Sequence, residues 1–162
     1  MAYLLDSNIF IQAKNEYYGF DLCPGFWAWL KQQNEIGTVW SIVPVKEELV
    51  RGADELAQWV RDEGNMLFKP MDSTASNAMV EVSNWVQQGD YRSDAKRSFL
   101  SCADPFLIAF AKAHDYVVVS HETLVGSGRK RVKIPAVCQA LDVSYMRTFE
   151  MLRAEEASFV LS

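Results

Sequence analysis

Short apolar runs alternate with longer helical patterns along this chain, and this alternation restricts its fold more than any other feature. The runs lie at residues 2–5, 39–43, 66–68 and 116–120, with a weaker candidate near Val143. They lack the apolar–polar alternation of a half-exposed sheet, so they are typical of strands covered on both faces. The helical patterns lie at about residues 25–33, 44–63, 73–88, 93–114, 135–141 and 147–157. Such alternation predicts right-handed crossovers and a three-layer α/β/α sandwich with a mostly parallel sheet of four to five strands.

The chain has the size of one ordinary domain, and neither an internal repeat nor a low-complexity stretch divides it. We therefore expect a single domain over residues 1–162. Hydrophobic residues make up 49% of the chain, which is enough for a real core and argues against disorder. The expected loops are residues 14–22, residues 89–90 and residues 124–133.

Charge and cysteine content restrict the possible functions. The net charge is −5, whereas a protein that binds nucleic acid by charge alone is usually basic, so any such role must depend on local patches. The three cysteines lie far apart without a CxxC pair, which predicts neither a disulfide framework nor a thiolate zinc site. No apolar run approaches the roughly 18 residues of a membrane span, and the start lacks the plan of a signal peptide. We expect a cytoplasmic protein with no membrane association.

Four acidic residues stand where a parallel sheet would bring them together. Asp6 ends the first apolar run, and Glu122 follows the fourth run closely. Asp104 opens the helical pattern ADPFLIAFAKAH, and Glu48 falls on the inward stripe of the helix predicted after the second run. Ligands of open parallel sheets bind beyond the carboxyl ends of the strands. The four acids are therefore expected at or near one edge of the sheet.

Each acid also has an ordinary structural interpretation. Asp6 and Asp104 could cap helices, Glu48 could lie at the edge of its stripe near a helix start, and Glu122 could be a solvated loop acid. Gathered in one place, however, carboxylates repel each other and raise each other's pKa, and a hard divalent cation is the usual remedy. Two such ions can stabilise both the attacking and the leaving oxygens when a phosphodiester is cleaved.

The motifs LLDSN, SIVPVKEELVRG, ADPFLIAFA and VVVSHE follow one another in this chain. Their order and spacing resemble those of the PIN-domain family through most of the chain. The tail KIPAVCQALDV is most similar to a PIN-like subfamily described as a domain of unknown function and often found beside a candidate antitoxin. The resemblance implies a five-stranded parallel sheet and a metal-dependent ribonuclease activity. The family includes the VapC-like toxins of bacterial type II toxin–antitoxin pairs.

The resemblance also implies roles for individual residues. The implied catalytic and metal-binding set is Asp6, Glu48, Asp104 and Glu122, with Mg²⁺ or Mn²⁺ as cofactor. Glu48 is either a ligand or the base that positions water, and Glu122 stands where many members have aspartate. Asn8 and Ser120 could orient the ligands through hydrogen bonds. The implied reaction is metal-assisted hydrolysis of an RNA phosphodiester by an endoribonuclease.

Two basic clusters offset the acidic total and could bind the backbone phosphates of RNA, or could simply be solvated surface. The first cluster lies just before Asp104, and the second lies in a glycine-containing loop after Glu122. Their members are Arg92, Lys96 and Arg97 in the first, and Arg129, Lys130, Arg131 and Lys133 in the second.

An aromatic-rich stretch lies between Tyr17 and Trp40. Core packing or contact with a partner is the favoured interpretation of this stretch, and stacking on nucleic acid is the less favoured one. Trp27 and Trp29 are two positions apart on a predicted helix and cannot face the same way. Some apolar surface is therefore expected to remain for a partner. A homodimer, an antitoxin or both would suit that surface.

Two alternative functions remain open. One is a DNA nuclease or phosphatase of another α/β type, because an aspartate after the first strand recurs among phosphate-handling folds. A phosphatase normally has a second aspartate two residues later, where this chain has Asn8. The other alternative is a non-catalytic protein-binding module of PIN-like fold, whose acids are helix caps and whose exposed aromatic residues contact a partner.

Overall fold

One sheet of five parallel strands lies at the centre of the computed structural model, which describes residues 1–126 and 128–161. The strands are β1 (Tyr3–Leu5), β2 (Val39–Ile42), β3 (Phe68–Lys69), β4 (Val117–Val119) and β5 (Tyr145–Met146). Their order across the sheet is β3-β2-β1-β4-β5, and every pair is parallel. The predicted α/β class and the predicted parallel sheet are confirmed.

Helices cover both faces of this sheet. In the described residues they are α1 (Ser7–Gln12), α2 (Pro24–Glu35), α3 (Val43–Val50), α4 (Glu55–Asp62), α5 (Ser73–Gln88), α6 (Ser93–Leu100), α7 (Asp104–His114), α8 (Ile134–Ala140) and α9 (Thr148–Ala154). Helix α3 contacts both α1 and α4, and helices α5 to α8 form a second group. Right-handed crossovers place these two groups on opposite faces of the sheet, which gives the predicted three layers. Within the described ranges, no helix combines the length and the apolar character that crossing a bilayer requires.

The strands are continuous apolar runs because both of their faces are buried. All three residues of β1 and both Val118 and Val119 of β4 are fully inaccessible to solvent. Leu5 pairs with Val119, so β1 and β4 end at the same level. The chain path reverses between these two strands: β2 and β3 lie on one side of β1, whereas β4 and β5 lie on its other side. Ligand sites of open α/β sheets lie at such a reversal.

The prediction of one helix over residues 44–63 is wrong in one respect, because the structure has two helices there, α3 and α4. Asp54 caps α4 by accepting a hydrogen bond from the backbone N–H of Ala57 at 2.9 Å. Ala53, between the two helices, has a φ of +50° in the left-handed region, which no helix can continue through. A good local cap therefore outweighs the helical periodicity that continues through this segment.

The helix predicted over residues 93–114 is likewise divided into α6 and α7, with a break at residues 101–103. Pro105 lies in the first turn of α7 and has no N–H to donate to a preceding helical turn. Residues 14–22 were expected to form a loop, but Ala13–Tyr17 forms a π-helical turn that continues α1. Strands β3 and β5 also lie one to two residues after their predicted positions.

The aromatic stretch is mainly core. Trp27 stacks on Phe20 with ring centroids 4.2 Å apart and meets Trp59 edge-on at 4.8 Å. Trp29 is also buried, and its ring lies 6.5 Å from that of Phe159. Neither tryptophan therefore supplies the apolar surface expected for a partner, although Tyr17, Leu22 and Ile36 of the same stretch are exposed.

We expect Asp54→Ala to lower the free energy of unfolding by about 1 kcal/mol, because it removes the cap of α4. The same carboxylate also pairs with the Lys14 ammonium at 2.9 Å. Urea denaturation measures this change. Glu47→Ala, which deletes an exposed carboxylate from α3, is the control and should alter stability by less than about 0.5 kcal/mol. Equal losses in both variants would contradict the capping role.

Candidate functional site

The carboxyl ends of β1 and β4 bring the first residues beyond these strands side by side. The backbone N–H of Asp6 donates to the carbonyl of Val119 at 3.0 Å, so the pairing of β1 with β4 continues to Asp6. Ser120 follows β4 directly, and its hydroxyl donates to Oδ2 of Asp6 at 3.2 Å. Residues separated by 114 positions in the sequence are thus joined at the predicted edge of the sheet.

Asp6 is a buried carboxylate, with 2% of its surface exposed. Burial raises the pKa of Asp6 well above its usual range, and the negative charges of Asp104 and Glu122 raise this pKa further. The Ser120 hydroxyl and the Ser7 backbone N–H oppose the shift. Asp6 occupies the N-cap position of α1, yet its side chain makes no capping hydrogen bond. The capping interpretation of Asp6 is therefore wrong.

Glu48 lies at the same edge because α3 begins directly after β2. Its Oε2 accepts a hydrogen bond from the Ser7 hydroxyl at 2.6 Å. Its Oε1 accepts a hydrogen bond from the backbone N–H of Ala103 at 2.6 Å. Glu48 therefore faces inward, as the helical stripe predicts, and both of its oxygens contact protein donors.

Asp104 is the first residue of α7, and Ala103 is the N-cap residue. Asp104 is therefore not the N-cap residue, and no side-chain capping hydrogen bond is made at this helix start. The capping interpretation of Asp104 is wrong. Burial, followed by the charges of Glu122 and Glu48, raises the pKa of Asp104 to about 6. Without a bound cation, this carboxyl group therefore keeps its proton to a higher pH than an exposed aspartate does.

Glu122 is not a solvated loop acid, since only 9% of its side chain is exposed. Its Oε1 pairs with the Arg131 guanidinium at 2.6 Å. Its Oε2 accepts the backbone N–H of Ile134, the first residue of α8, at 2.7 Å. Its own backbone N–H donates to the Ser120 hydroxyl at 3.1 Å. Glu122 thus closes the loop between β4 and α8.

The four acids act on one another electrostatically, and their donor chemistry fits Mg²⁺ or Mn²⁺. Among the described residues, however, no three acid, histidine or cysteine side chains already stand in an arrangement that could hold a metal ion. Glu48 and Glu122 each direct both oxygens to protein donors. Asp6 and Asp104 form no ion pair within the described ranges. These two carboxylates are the available pair, whereas Glu122 is already paired with the Arg131 guanidinium, with which a metal ion would compete.

Of the two residues predicted to orient the acids, Ser120 forms a hydrogen bond with one of them and Asn8 forms none in the ranges that the structure describes. Ser120 lies where the sequence predicts it, bonded to Asp6. No hydrogen bond in the described part of the chain joins the half-buried Asn8 to the four acids. Ser7, which the sequence analysis did not single out, instead contacts Glu48. The only sequence signal for Ser7 is its place beside Asp6, because its partner lies 41 residues away.

The Cys102 thiol is a second group that the sequence analysis missed. Burial, together with the charge of Asp104, raises the pKa of Cys102 to about 12. The thiol therefore remains neutral, and its Sγ donates to the carbonyl of Phe99 at 3.2 Å. Cys102 and Asp104 line the same cleft, which has a volume of about 390 Å³. The neutral thiol therefore adds no charge to the wall of this cleft.

Part of the predicted basic surface lies beside the acids. Lys130 and Arg131 line the cleft of about 390 Å³ together with Asp104. The backbone N–H of Arg92 donates to the carbonyl of Arg129 at 3.0 Å, so the two basic clusters adjoin each other in space. Their separation in the sequence concealed this proximity.

The other basic residues lie farther out on this surface. Lys96 donates from Nζ to the carbonyl of Gln87 at 2.7 Å, and Lys96 and Arg97 line a separate surface cleft of about 620 Å³. Arg92 and Arg129 each pair with an exposed aspartate, at 3.2 Å and 3.1 Å respectively. RNA binding by these residues stays a prediction.

Comparisons with known proteins agree with the predicted resemblance. Residues 3–159 match the family model described as "Domain of unknown function (DUF4411)". No curated protein sequence matches this chain significantly. One similar solved structure is VapBC2 from Rickettsia felis bound to a DNA fragment from their promoter, with a TM-score of 0.55 and 12% identity, covering 91% of this chain and 98% of that chain.

Two further structures show the same likeness. FitAcB from Neisseria gonorrhoeae has a TM-score of 0.55 and 17% identity, with 89% of this chain and 96% of that chain covered. FitAB bound to an IR36 DNA fragment has a TM-score of 0.55 and 14% identity, with 90% and 94% covered. At these identities the likeness concerns the fold, and it confirms the resemblance to the PIN-like, VapC-like group.

We expect Asp104→Asn to stabilise the metal-free protein at pH 7 by about 1–3 kcal/mol, given a pKa near 6 in the folded state. The unfolded chain has the lower pKa, so the stability that Asp104 contributes is greatest below about pH 4 and is lost as the pH rises through 6. Urea denaturation at pH 4 and pH 7 in chelator tests this.

The matched control is Asp94→Asn, which neutralises an exposed aspartate of the same cleft. It should show no pH-dependent gain. Parallel pH profiles for the wild type and Asp104→Asn would contradict the electrostatic description of the site.

Proposed function

We propose that this chain, which belongs to the family described as a domain of unknown function (DUF4411), is a metal-dependent endoribonuclease. We further propose that it is the toxin of a type II toxin–antitoxin pair. The main support is the meeting of four carboxylates where the chain path reverses between β1 and β4. Buried carboxylates without cations are costly, and proteins place such groups where a cation or a reaction requires them.

The proposed ion is Mg²⁺ or Mn²⁺. When bound, it would lower the pKa of a water molecule and offset the charge that develops on a phosphodiester. Asp6 and Asp104 would hold it, because their carboxylates have no cationic partner among the described residues. Glu48 is fixed by Ser7 and by the Ala103 backbone N–H, yet each of its oxygens keeps a free lone pair for a ligand or a water.

An acidic site repels RNA unless nearby cations bind the phosphates. Lys130 and Arg131 stand on the wall of the cleft that contains Asp104. Phosphate contacts of this kind position a nucleic acid without reading its sequence. The proximity of these two side chains to the acids therefore supports RNA as the substrate, with the other basic residues extending the same surface.

The proposed partner is an antitoxin, with a homodimer as a second possible assembly. This part of the proposal is supported by the shared fold with VapBC2 and FitAB. A cytoplasmic location is proposed as well, since the three cysteines are free and reduced thiols are typical of that compartment. The non-catalytic module is disfavoured, because it requires Asp6 and Asp104 to be helix caps and neither side chain makes a capping hydrogen bond.

We expect Asp6→Asn and Asp104→Asn each to reduce Mn²⁺-dependent cleavage of single-stranded RNA by at least about 10–100-fold, the loss that is typical even of residues that only support a metal ligand. Gel analysis of a labelled RNA measures cleavage. In addition, Mn²⁺ should raise the thermal midpoint of the wild type but not that of Asp6→Asn. Glu47→Gln, an exposed neighbour of Glu48, is the control and should retain both properties. Full activity in both asparagine variants would disprove the site.

We expect Lys130→Gln to weaken RNA binding and to reduce the slope of log affinity against log salt by about 0.7, the value for one lost phosphate contact on a single strand. Binding is measured in the Asp104→Asn background to prevent cleavage. Lys31→Gln, on the distant α2 surface and paired with Glu63, is the control. A salt slope that Lys130→Gln leaves unchanged would remove Lys130 from the interface.

A further inference from the structure

Arg131 has an unusual place among the basic residues of this surface. Its guanidinium approaches Glu122 Oε1 at 2.6 Å, and in the described part of the chain this is the one ion pair made by any of the four acids. The exposures of the two side chains differ, with 57% for Arg131 and 9% for Glu122. The acid is therefore held in the protein while the cation approaches from the cleft.

The influence of Arg131 extends beyond Glu122. Its positive charge also lowers the pKa of Asp104, against the larger opposing effects of burial and of the neighbouring acids. Arg131 thus offsets part of the repulsion within the acidic cluster. A guanidinium provides one positive charge at a place where a divalent ion would provide two.

The two partners of Glu122 differ in how easily they can leave. The N–H of Ile134 belongs to the backbone at the start of α8, and Ile134 is fully buried. Arg131 holds Glu122 only through a long, rotatable and largely exposed side chain. An ion that recruits Glu122 would therefore displace Arg131 from Oε1 and leave the bond to Ile134 intact.

A displaced Arg131 would stay within the cleft that it shares with Lys130 and Asp104. Guanidinium groups bind phosphates through two parallel hydrogen bonds, which suits a phosphodiester held next to the acids. We propose that Arg131 is the resident counter-ion of the acidic cluster, that a divalent ion takes its place on Glu122, and that the released guanidinium then binds a phosphate of the substrate. This inference rests on the proposed nuclease function.

The exchange would couple the two ligands. Once the ion has released Arg131, a phosphate finds a free guanidinium, and a phosphate that holds Arg131 leaves Glu122 free for the ion. By thermodynamic reciprocity, RNA then raises the affinity for the ion by the same factor as the ion raises the affinity for RNA.

The test measures Mn²⁺ affinity by calorimetry in the absence of RNA. Arg131→Gln should bind Mn²⁺ about fivefold more tightly than the wild type, because no side chain competes for Glu122. Its metal-free form should melt about 2–4 °C lower, whereas its Mn²⁺-saturated form should match the wild type. Arg129→Gln, which loses the same charge from the same loop but pairs with exposed Asp90, controls for long-range electrostatics and should show neither change.

A second variant, Arg131→Lys, guards against misfolding. It retains a cation for Glu122 and should bind Mn²⁺ as the wild type does, but it should bind RNA more weakly once Mn²⁺ is present, because an ammonium lacks the fork of a guanidinium. RNA affinity is compared in the Glu48→Gln background, which retains Asp6, Asp104 and Glu122, after calorimetry has shown that this background still binds Mn²⁺.

The outcomes separate this inference from the proposed function. If the wild type binds Mn²⁺ and Asp104→Asn does not, but Arg131→Gln binds Mn²⁺ no more tightly than Arg129→Gln, the counter-ion role is wrong and the metal site stands. Weaker Mn²⁺ binding by Arg131→Gln would also overturn the counter-ion role. If the wild type itself binds no Mn²⁺, the proposed function is wrong, and this inference is wrong with it.

Discussion

The carboxylate of Glu48 joins the two helical layers across the edge of the sheet. It accepts one hydrogen bond from Ser7 in α1 and another from the Ala103 backbone N–H at the start of α7, which lie 41 and 55 residues away in the sequence. Helices α1 and α7 pack on opposite faces, so this side chain fixes how their first turns approach each other. Asp6 precedes the first of these turns and Asp104 opens the second. The separation of the two available carboxylates therefore depends on Glu48.

This arrangement places negative charge where burial removes most of its contact with water. The raised pKa values of Asp6 and Asp104 express that cost, because each ionised carboxylate is disfavoured by burial and by its neighbours. Two kinds of interaction stabilise the ionised carboxylates: a few hydrogen bonds, such as that from Ser120, and the single positive charge of Arg131. A site built in this way sacrifices stability in exchange for affinity toward a cation, as functional sites commonly do.

Much of the fold could be predicted because its signals are local. The strands are short buried runs, and helix α5 was predicted with both of its ends, since Asp72 caps it and Gly89 follows it. The sequence did not predict that the patterns over residues 44–63 and 93–114 each form two helices, and the physical reasons differ. Asp54 is a local cap that competes with a continuing periodicity, whereas the break before Asp104 is satisfied by the side chain of Glu48, from another part of the chain.

The sequence by itself determined the fold class and the edge of the sheet at which Asp6, Asp104 and Glu122 would lie. Local patterns specify the elements, and the rules for parallel crossovers place the strand ends together. The tertiary structure alone decided which carboxylate oxygens remain available, that Ser7 rather than Asn8 contacts Glu48, and that Arg131 pairs with Glu122. The physical reason is that a hydrogen bond or ion pair depends on ångström distances between side chains, and these are set only when separate elements pack together.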